Sequence, residues 1–364
     1  MADQSGKADK ASSFVLWPGA GLILLGVFVV AALILELAVG SASIPMGEVL
    51  GSLLGSSTSN PVWNQIIQEV RLPRGLAAIL GGACLALSGL EMQTLFRNPL
   101  AGPFSLGISS GAALGVALAL LMVQGASRTE TFSFFQAAQG IWAEMGIAVS
   151  AIIGSSLVMI AVMALSRRIK NNTTLLILGL MFGQVASALV SVLQAFSPAD
   201  RIRAFTFWTF GNFTDVTWGQ MPIFAGATIL GLALSAVSAK SLNALLLGES
   251  YALSLVVPLQ AVRLSLLAGA SILAGVTTAF CGPVAFLGLA VPHLCRSLFR
   301  TSDHRWLIPA CVLMGSGLAL LSDLAAGLPG SERALPLNAI TALIGAPVVI
   351  WVLLRRQPGS SSPP

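Results

Sequence analysis

The residue types most often used for bond chemistry are sparse in this sequence. No GxxxxGKS/T phosphate-binding loop occurs, so the chain does not cradle a nucleotide by itself. The four cysteines, Cys84, Cys281, Cys295 and Cys311, form no CxxC pair and lie mostly in apolar runs, which favours ordinary packing over metal or disulfide roles. His293 is a tempting metal ligand, but no carboxylate is in sight to face it. We therefore predict no catalytic residue, no metal site and no cofactor bound by this chain.

A pair of arginines is the most informative polar feature. Arg71 and Arg74 share one face if a helix begins there, and Pro73 is tolerated in its first turn. The apolar run that follows, residues 75–95, is long enough to cross a bilayer of about 30 Å. Arg97-Asn98-Pro99 then ends the helix, and a run of small residues opens a second apolar segment that permits close helix packing. This pattern predicts a hairpin of membrane helices.

Composition assigns the whole chain to one class. Apolar residues make up 55% of the 364 residues, charged residues only 9%, and the mean hydropathy is +0.88. No ordinary soluble core keeps so much apolar surface from water, so we predict an all-α, polytopic membrane protein. The net charge of +5 follows the positive-inside distribution, which favours membrane topology over nucleic-acid binding.

About ten segments are predicted to enter the membrane. The predicted spans are residues 19–38, 73–95, 106–123, 141–165, 175–196, 218–237, 264–280, 306–326 and 337–354. The remaining segment lies between Gly282-Pro283 and Val291-Pro292, and its length of roughly 13 Å makes it a half-helix. A buried half-helix is a feature of transporters.

The rest of the chain is predicted to flank these spans. Residues 1–13 form a polar cytoplasmic N-terminus, residues 14–356 a single transmembrane domain and residues 357–364 a polar tail. Most of the 19 lysines and arginines lie on the cytoplasmic side when both termini are placed there. We also expect an amphipathic helix near residues 46–54 and an interfacial helix within residues 197–215.

No carboxylate is predicted near the middle of a span, since Glu36, Glu91 and Asp323 lie toward the ends. Ion-coupled carriers usually need such a group at the midplane, so we expect the energy to come from outside this polypeptide. Residues 239–258 are the candidate for receiving it, as two short helices, 242–247 and 250–256, broken at Gly248. The alternative is an amphipathic helix pair resting on lipid.

Several motifs along nearly the whole chain resemble those of the FecCD family, the permease subunits of ATP-binding-cassette (ABC) importers for ferric siderophores, haem and cobalamin. The matching stretches are residues 71–74 (RLPR), 81–89 (GGACLALSG), 97–103 (RNPLAGP), 106–112 (LGISSGA), 242–249 (LNALLLGE), 286–289 (FLGL), 291–293 (VPH) and 303–305 (DHR). The resemblance implies the type II ABC importer permease fold. It also implies a homodimer, two ATPase subunits that use ATP and Mg²⁺, and a periplasmic substrate-binding protein.

The resemblance also implies a docking role for the arginine pair. Arg71 and Arg74 match the arginines that receive acidic side chains of the binding protein, and exposed arginines on a rim steer such a partner. Interfacial anchoring by snorkelling is the alternative. Where the family often has a third arginine, this chain has Gly327. The candidates for a third docking arginine in this chain are Arg333, Arg201 and Arg203.

Two further sites are carried over from the family. The predicted ATPase-coupling residues are Leu242, Asn243, Leu245, Leu247, Gly248, Glu249 and Leu253. The predicted cytoplasmic gate is formed by Asn172 and Thr173 at the inner end of the fifth span, where helix capping is the alternative role. His293 is expected to cap the half-helix rather than to bind metal.

The sequence therefore predicts an inner-membrane importer subunit that passes an iron chelate, haem or cobalamin by alternating access and makes no bonds itself. A secondary carrier acting without an ATPase is the alternative. A third class, an intramembrane enzyme, lacks paired polar groups within the spans. The sequence does not identify the chelate, because the binding protein is the main determinant of which substrate is carried.

Overall fold

The computed structural model describes residues 18–40, 44–55, 60–121, 141–169, 171–254, 258–327 and 335–355. Every regular element within these ranges is a helix, as the sequence predicts. The two predicted polar ends, residues 1–13 and 357–364, lie outside the described residues.

The first half of the chain alternates long apolar helices with short connecting ones. The helices are α1 (Pro18–Ala38), α2 (Met46–Leu53), α3 (Pro61–Gln65), α4 (Leu72–Leu95), α5 (Ile108–Leu121), α6 (Ile141–Ser166) and α7 (Asn172–Ala195). A π-helical turn, Ile66–Arg71, joins α3 to α4 without a break. The helical path therefore begins at Pro61, capped by the Asn60 side chain, and not at Arg71 as predicted.

The second half continues in the same manner. Its helices are α8 (Ala199–Thr209), α9 (Met221–Leu246), α10 (Glu249–Ser254), α11 (Leu259–Cys281), α12 (Leu287–Phe299), α13 (His304–Ala326) and α14 (Leu337–Arg355). The predicted amphipathic and interfacial helices correspond to α2 and α8.

Helix length and composition agree with a membrane protein. Within the described ranges, 7 helices are long and apolar enough to cross a bilayer. Three shorter apolar helices accompany them: α5, α12 and residues 337–351 of α14. Together they account for the predicted set of about ten membrane segments.

Helix α4 is the centre of the molecule. It packs against α9, α11, α12 and α13, and every residue from Gly81 to Leu95 is buried. Glycines allow this close packing: a methyl group at Gly89 would overlap the carbonyl of Gly288 in α12, and one at Gly82 would overlap that of Gly315 in α13. The helix is therefore held on all sides.

The predicted half-helix exists, but its limits differ from the prediction. Helix α12 has 13 residues, roughly 20 Å, and continues through Pro292 to Phe299. A proline inside a helix removes one intrahelical hydrogen bond, and packing between α4 and α13 supports the helix beyond it. The non-helical segment before α12 also has a hydrogen-bond partner, because the Asn338 side chain accepts from the backbone N–H of Ala285.

The predicted boundary between the sixth span and the coupling segment is wrong. Helix α9 runs unbroken through Lys240 to Leu246, since neither proline nor glycine occurs between Gly231 and Gly248. The predicted break does occur at Gly248, whose φ of 116° is costly for other residues. Helix α10 follows at once. The coupling segment is therefore the end of a transmembrane helix plus one short helix.

Candidate functional site

The outer end of α4 carries the first predicted site, and its centre is an ion pair. Arg74 Nε lies 2.5 Å from Asp323 Oδ2 and its Nη2 lies 3.0 Å from Oδ1, a bidentate contact that joins α4 to α13. Glu36 of α1 adds a second buried carboxylate, 3.9 Å from Arg74 Nε. The Arg74 side chain is 28% exposed, so a partner can reach it.

Arg71 differs from Arg74 in its surroundings. Its side chain is buried, and Nη1 donates to the carbonyl of Leu37 at 2.7 Å, near the last turn of α1. The expectation that both arginines are exposed is therefore wrong for Arg71. The reason is that the helical path begins ten residues earlier, at Pro61, which places Arg71 against α1 instead of at a free helix end.

The other candidate docking arginines, where the structure describes them, also differ in exposure. Arg333 lies outside the described residues. Arg203 is exposed on α8, where its guanidinium lies 5.5 Å from the centre of the Phe207 ring. Arg201, on the same helix, is half-buried.

The coupling segment has an apolar outer surface. Leu246, Leu247 and Tyr251 are exposed by 39%, 65% and 49%, respectively. We call these three residues the coupling patch. The sequence analysis named Leu247 but not Leu246 or Tyr251, because the sequence alone does not show which side chains of the two short helices face outward.

The other predicted coupling residues face inward or lie at the bend. Leu242 and Leu245 are buried beneath the coupling patch, and Gly248 forms the bend itself. Glu249 and Leu253 belong to α10, but their side chains lie outside the described part of the chain. A contact with a partner through Leu242 or Leu245 would require this end of α9 to unpack.

Asn243 holds α9 to α13. Its Nδ2 donates to Asp303 Oδ1 at 2.6 Å, and its Oδ1 accepts from the backbone N–H of His304 at 2.9 Å. Asp303 is also the N-cap of α13, accepting from the N–H of Arg305. That N–H first, and the Asn243 amide second, stabilise the ionised carboxylate and lower the pKa of Asp303.

His304 extends this contact to α4. The side chain is fully buried, its Nδ1 lies 2.8 Å from Asn243 Oδ1, and its Nε2 lies 2.9 Å from Thr94 Oγ1. The sequence singled out Asp303-His304-Arg305 only as a family motif. Its structural role follows from the tertiary contacts.

The inner end of α4 also reaches the predicted gate. Asn172 Nδ2 donates to the carbonyl of Leu95 at 3.1 Å, while Thr173 is exposed. Capping of α7 belongs to Asn171, whose side chain accepts from the N–H of Thr174. The alternative in which Asn172 or Thr173 caps this helix is therefore wrong.

The expectation that His293 caps the half-helix is wrong. It lies in the middle of α12, and its Nε2 is 2.8 Å from the carbonyl oxygen of Pro99, so the ring joins α12 to the turn after α4. Among the described residues no cluster of three or more potential ligands could hold a metal ion. The four cysteines are buried and unpaired, as expected of packing residues.

Glu91 is a residue whose environment the sequence did not reveal. It is 1% exposed within α4, and its Oε2 has no hydrogen-bond partner in the described structure. Its carboxylate lies near Gly269 of α11, in the packed interior of the bundle. A buried ionisable group in a membrane protein merits a functional test.

Comparison with known proteins gives the family. The model of the FecCD transport family matches residues 27–355. The chain belongs to this family. The vitamin B12 import system permease protein BtuC of Shigella boydii is 35% identical over 92% of this chain and 95% of its own length. BtuC of Klebsiella pneumoniae is 36% identical over 93% of both chains.

A solved structure supports the same assignment of this FecCD protein. It is described as an inward-facing conformation of a metal-chelate type ABC transporter, with a TM-score of 0.78 and 30% identity. The match covers 94% of the FecCD chain and 100% of the other. The protein is therefore a multi-pass permease subunit of the ABC importer class, with the corresponding all-helical fold.

Proposed function

We propose that this FecCD permease carries a metal chelate or cobalamin from the periplasm to the cytoplasm by alternating access. It would act as a homodimer, with both termini in the cytoplasm, two ATPase subunits on the inner face and a periplasmic binding protein on the outer face. ATP and Mg²⁺ would be used by the ATPase chains only.

The coupling patch is the observation that carries this proposal. Apolar side chains in a surface segment that follows a long helix fit the role of anchors in a partner protein. The patch stands on α9 and α10, which are joined to the body of the molecule through Asn243. A movement imposed on the patch would therefore be passed to the bundle as a rigid-body movement.

The first experiment asks whether an ATPase drives transport. The permease is purified gently from its host, its bound proteins are identified, and uptake is measured in vesicles before and after ATP depletion. We expect an ATPase to co-purify and uptake to stop without ATP. Uptake that continues at the same rate, with no ATPase bound, would rule out the proposal.

Glu91 is an observation that supports the secondary-carrier alternative, since proton-coupled carriers use buried carboxylates. The variant Glu91→Gln separates the two mechanisms because it keeps the side chain's shape and removes its ability to bind and release a proton. In an ATP-driven importer we expect ATP-dependent uptake to persist in this variant. In a proton-coupled carrier, uptake driven by an imposed pH gradient would be lost.

The substrate is proposed as a class, from the similarity to vitamin B12 permeases and to a metal-chelate transporter. The test measures ATP hydrolysis by the reconstituted complex with its binding protein. That protein is loaded in turn with cobalamin, haem or a ferric siderophore. The substrate should be the compound that raises hydrolysis and is also accumulated.

Arg74 is the proposed docking residue on the outer face. An acidic side chain of the binding protein would have to share or replace the Asp323 carboxylate as its partner. Arg71 would support this site from below by fixing the outer end of α4 to α1. Arg333 remains a proposed third contact.

A further inference from the structure

The last residues of α4 and the turn after it are bonded to three other parts of the chain. Thr94 contacts His304 of α13, Arg97 Nη2 donates to the carbonyl of Leu246 at 3.4 Å, and Leu95 accepts from Asn172 of α7. We call residues 94–97 the inner turn. It touches the coupling segment and the predicted gate at the same time.

The connection to the coupling segment is stiff. Asn243 uses both ends of its amide group, and His304, which it holds, is fully buried. Thr94 and His304 are both buried, so a broken bond between them leaves a polar group unsatisfied, whereas Asn243 and Asp303 are partly exposed. A displacement of α9 at Asn243 should therefore move His304 and Thr94 with it.

The connections through Arg97 and Asn172 have a simple chemical basis. The last carbonyls of a helix have no partner within the helix, and Leu246 and Leu95 supply such carbonyls from α9 and α4. Arg97 also places a positive charge at the C-terminal end of α9, which the helix dipole favours. The backbone of Arg97 is left-handed, with φ of 49°, a conformation that costs energy in a non-glycine residue.

The body of α4 supports the inner turn. Because its residues 81–95 are all buried, the helix has little freedom to bend between its ends. Movement of the inner turn is therefore not absorbed by bending of α4, and it reaches Asn172 of α7 through the Leu95 carbonyl.

We propose that the inner turn links the coupling patch to the gate, with Thr94, Arg97 and His304 as positioning residues. Movement of α9 would shift the inner turn through Asn243 and His304, and the inner turn would shift Asn172. This inference rests on the proposed function for its biological meaning, while the mechanical link itself is a property of the permease alone.

The first test uses the permease by itself. The four native cysteines are buried, so a thiol reagent reports on an introduced Thr173→Cys at the exposed gate position. Loss of the Thr94–His304 contact in Thr94→Val should shift the labelling rate about fivefold, as expected for one lost hydrogen bond between helices. Labelling of Thr206→Cys on α8 should not change. An unchanged rate at position 173 would overturn the proposal.

The second test uses the complete complex in liposomes. Thr94→Val should lower the substrate carried per ATP hydrolysed about tenfold and leave hydrolysis nearly unchanged, a coupling loss of ordinary size. Thr94→Ser should restore coupling. The matched control is Thr278→Val, because Thr278 is equally buried but bonds only within its own helix.

Two outcomes of the second test speak against the inner turn. A parallel loss of hydrolysis and transport, with a lower melting temperature, would mean that Thr94 is structural only. If Thr94→Val carries as much substrate per ATP hydrolysed as the unmodified complex, the inner turn does not link the coupling patch to the gate. Failure of the proposed function itself is distinct, because the unmodified complex would then show no ATP-driven uptake.

Discussion

At the scale of single residues, the Arg74 guanidinium lies close to two buried carboxylates, those of Asp323 and Glu36. Arg74 neutralises Asp323 and lies near Glu36, so removing it leaves two carboxylates in a largely buried place. An uncompensated buried charge is costlier than the loss of the pair as a whole. The pair should therefore behave asymmetrically toward mutation.

We expect Arg74→Ala to lower the free energy of unfolding by about 3 kcal/mol, near the lower end for a broken buried pair. The double variant Arg74→Ala with Asp323→Asn should recover part of this loss. Thermal unfolding in detergent measures both. Equal stability of the single and double variants would contradict the asymmetry.

Asp323→Asn alone tests docking. It frees the Arg74 guanidinium from its ionised partner, so we expect the binding protein to associate more tightly, with a stronger dependence on salt. Association is measured at low and high ionic strength with the permease in nanodiscs. The matched control is Asp215→Asn in the loop before α9, which removes the same charge from an exposed residue bonded to Asn212 and should leave docking as it is if Arg74 is the contact.

Asp303 gives a prediction for pH. Its pKa is lowered in the folded protein, so its contribution to stability is present above the ordinary carboxyl pKa of about 3.9 and is lost as the pH falls through the lowered value. Asp303→Asn still provides a good N-cap but no charge. The native protein should lose its stability advantage over this variant in acid. A constant difference in melting temperature across that range would contradict the assignment.

At the scale of elements, α4 combines a membrane span, an outer end with the proposed docking residue Arg74 and an inner end bonded to several other helices. Its glycines determine how closely its neighbours approach. The sequence predicted the helix and its small residues, but not which of them face another backbone.

Gly89→Ala should destabilise the protein by about 2 kcal/mol, as for an overpacked core, because its methyl group would overlap the Gly288 carbonyl. Gly226→Ala in α9 is the control. Nothing lies within 4 Å of its added carbon, so this change should be neutral or slightly stabilising. Melting temperatures of the two purified variants compare them directly.

At the scale of the whole molecule, the exposed apolar surface divides between lipid and partners. Helices α1, α6, α7 and α9 expose apolar side chains over their lengths, as expected of faces toward lipid. The coupling patch is apolar too, but it stands at the end of α9 beside polar and charged residues. We therefore propose that a protein partner, and not lipid, covers this patch.

Leu247→Glu should therefore reduce ATPase binding at least tenfold, the effect of losing a central apolar anchor. Leu54→Glu is a matched control, since Leu54 is even more exposed but follows α2, which packs at the start of α4, whereas the coupling patch is bonded to Arg97 after its end. Co-purification of the ATPase with each variant is the measurement. Equal binding in both would exclude the patch as the contact.

The sequence by itself determined the class, the family and most of the spans, because apolar length, charge placement and motif order are local properties of the chain. Only the tertiary structure decided that Arg71 is buried, that Asn243 faces inward and that His293 lies within α12. It also showed that the inner turn joins Asn172 to Leu246. These facts depend on which residues from distant parts of the chain meet, and helix periodicity alone does not specify the partners of a helix.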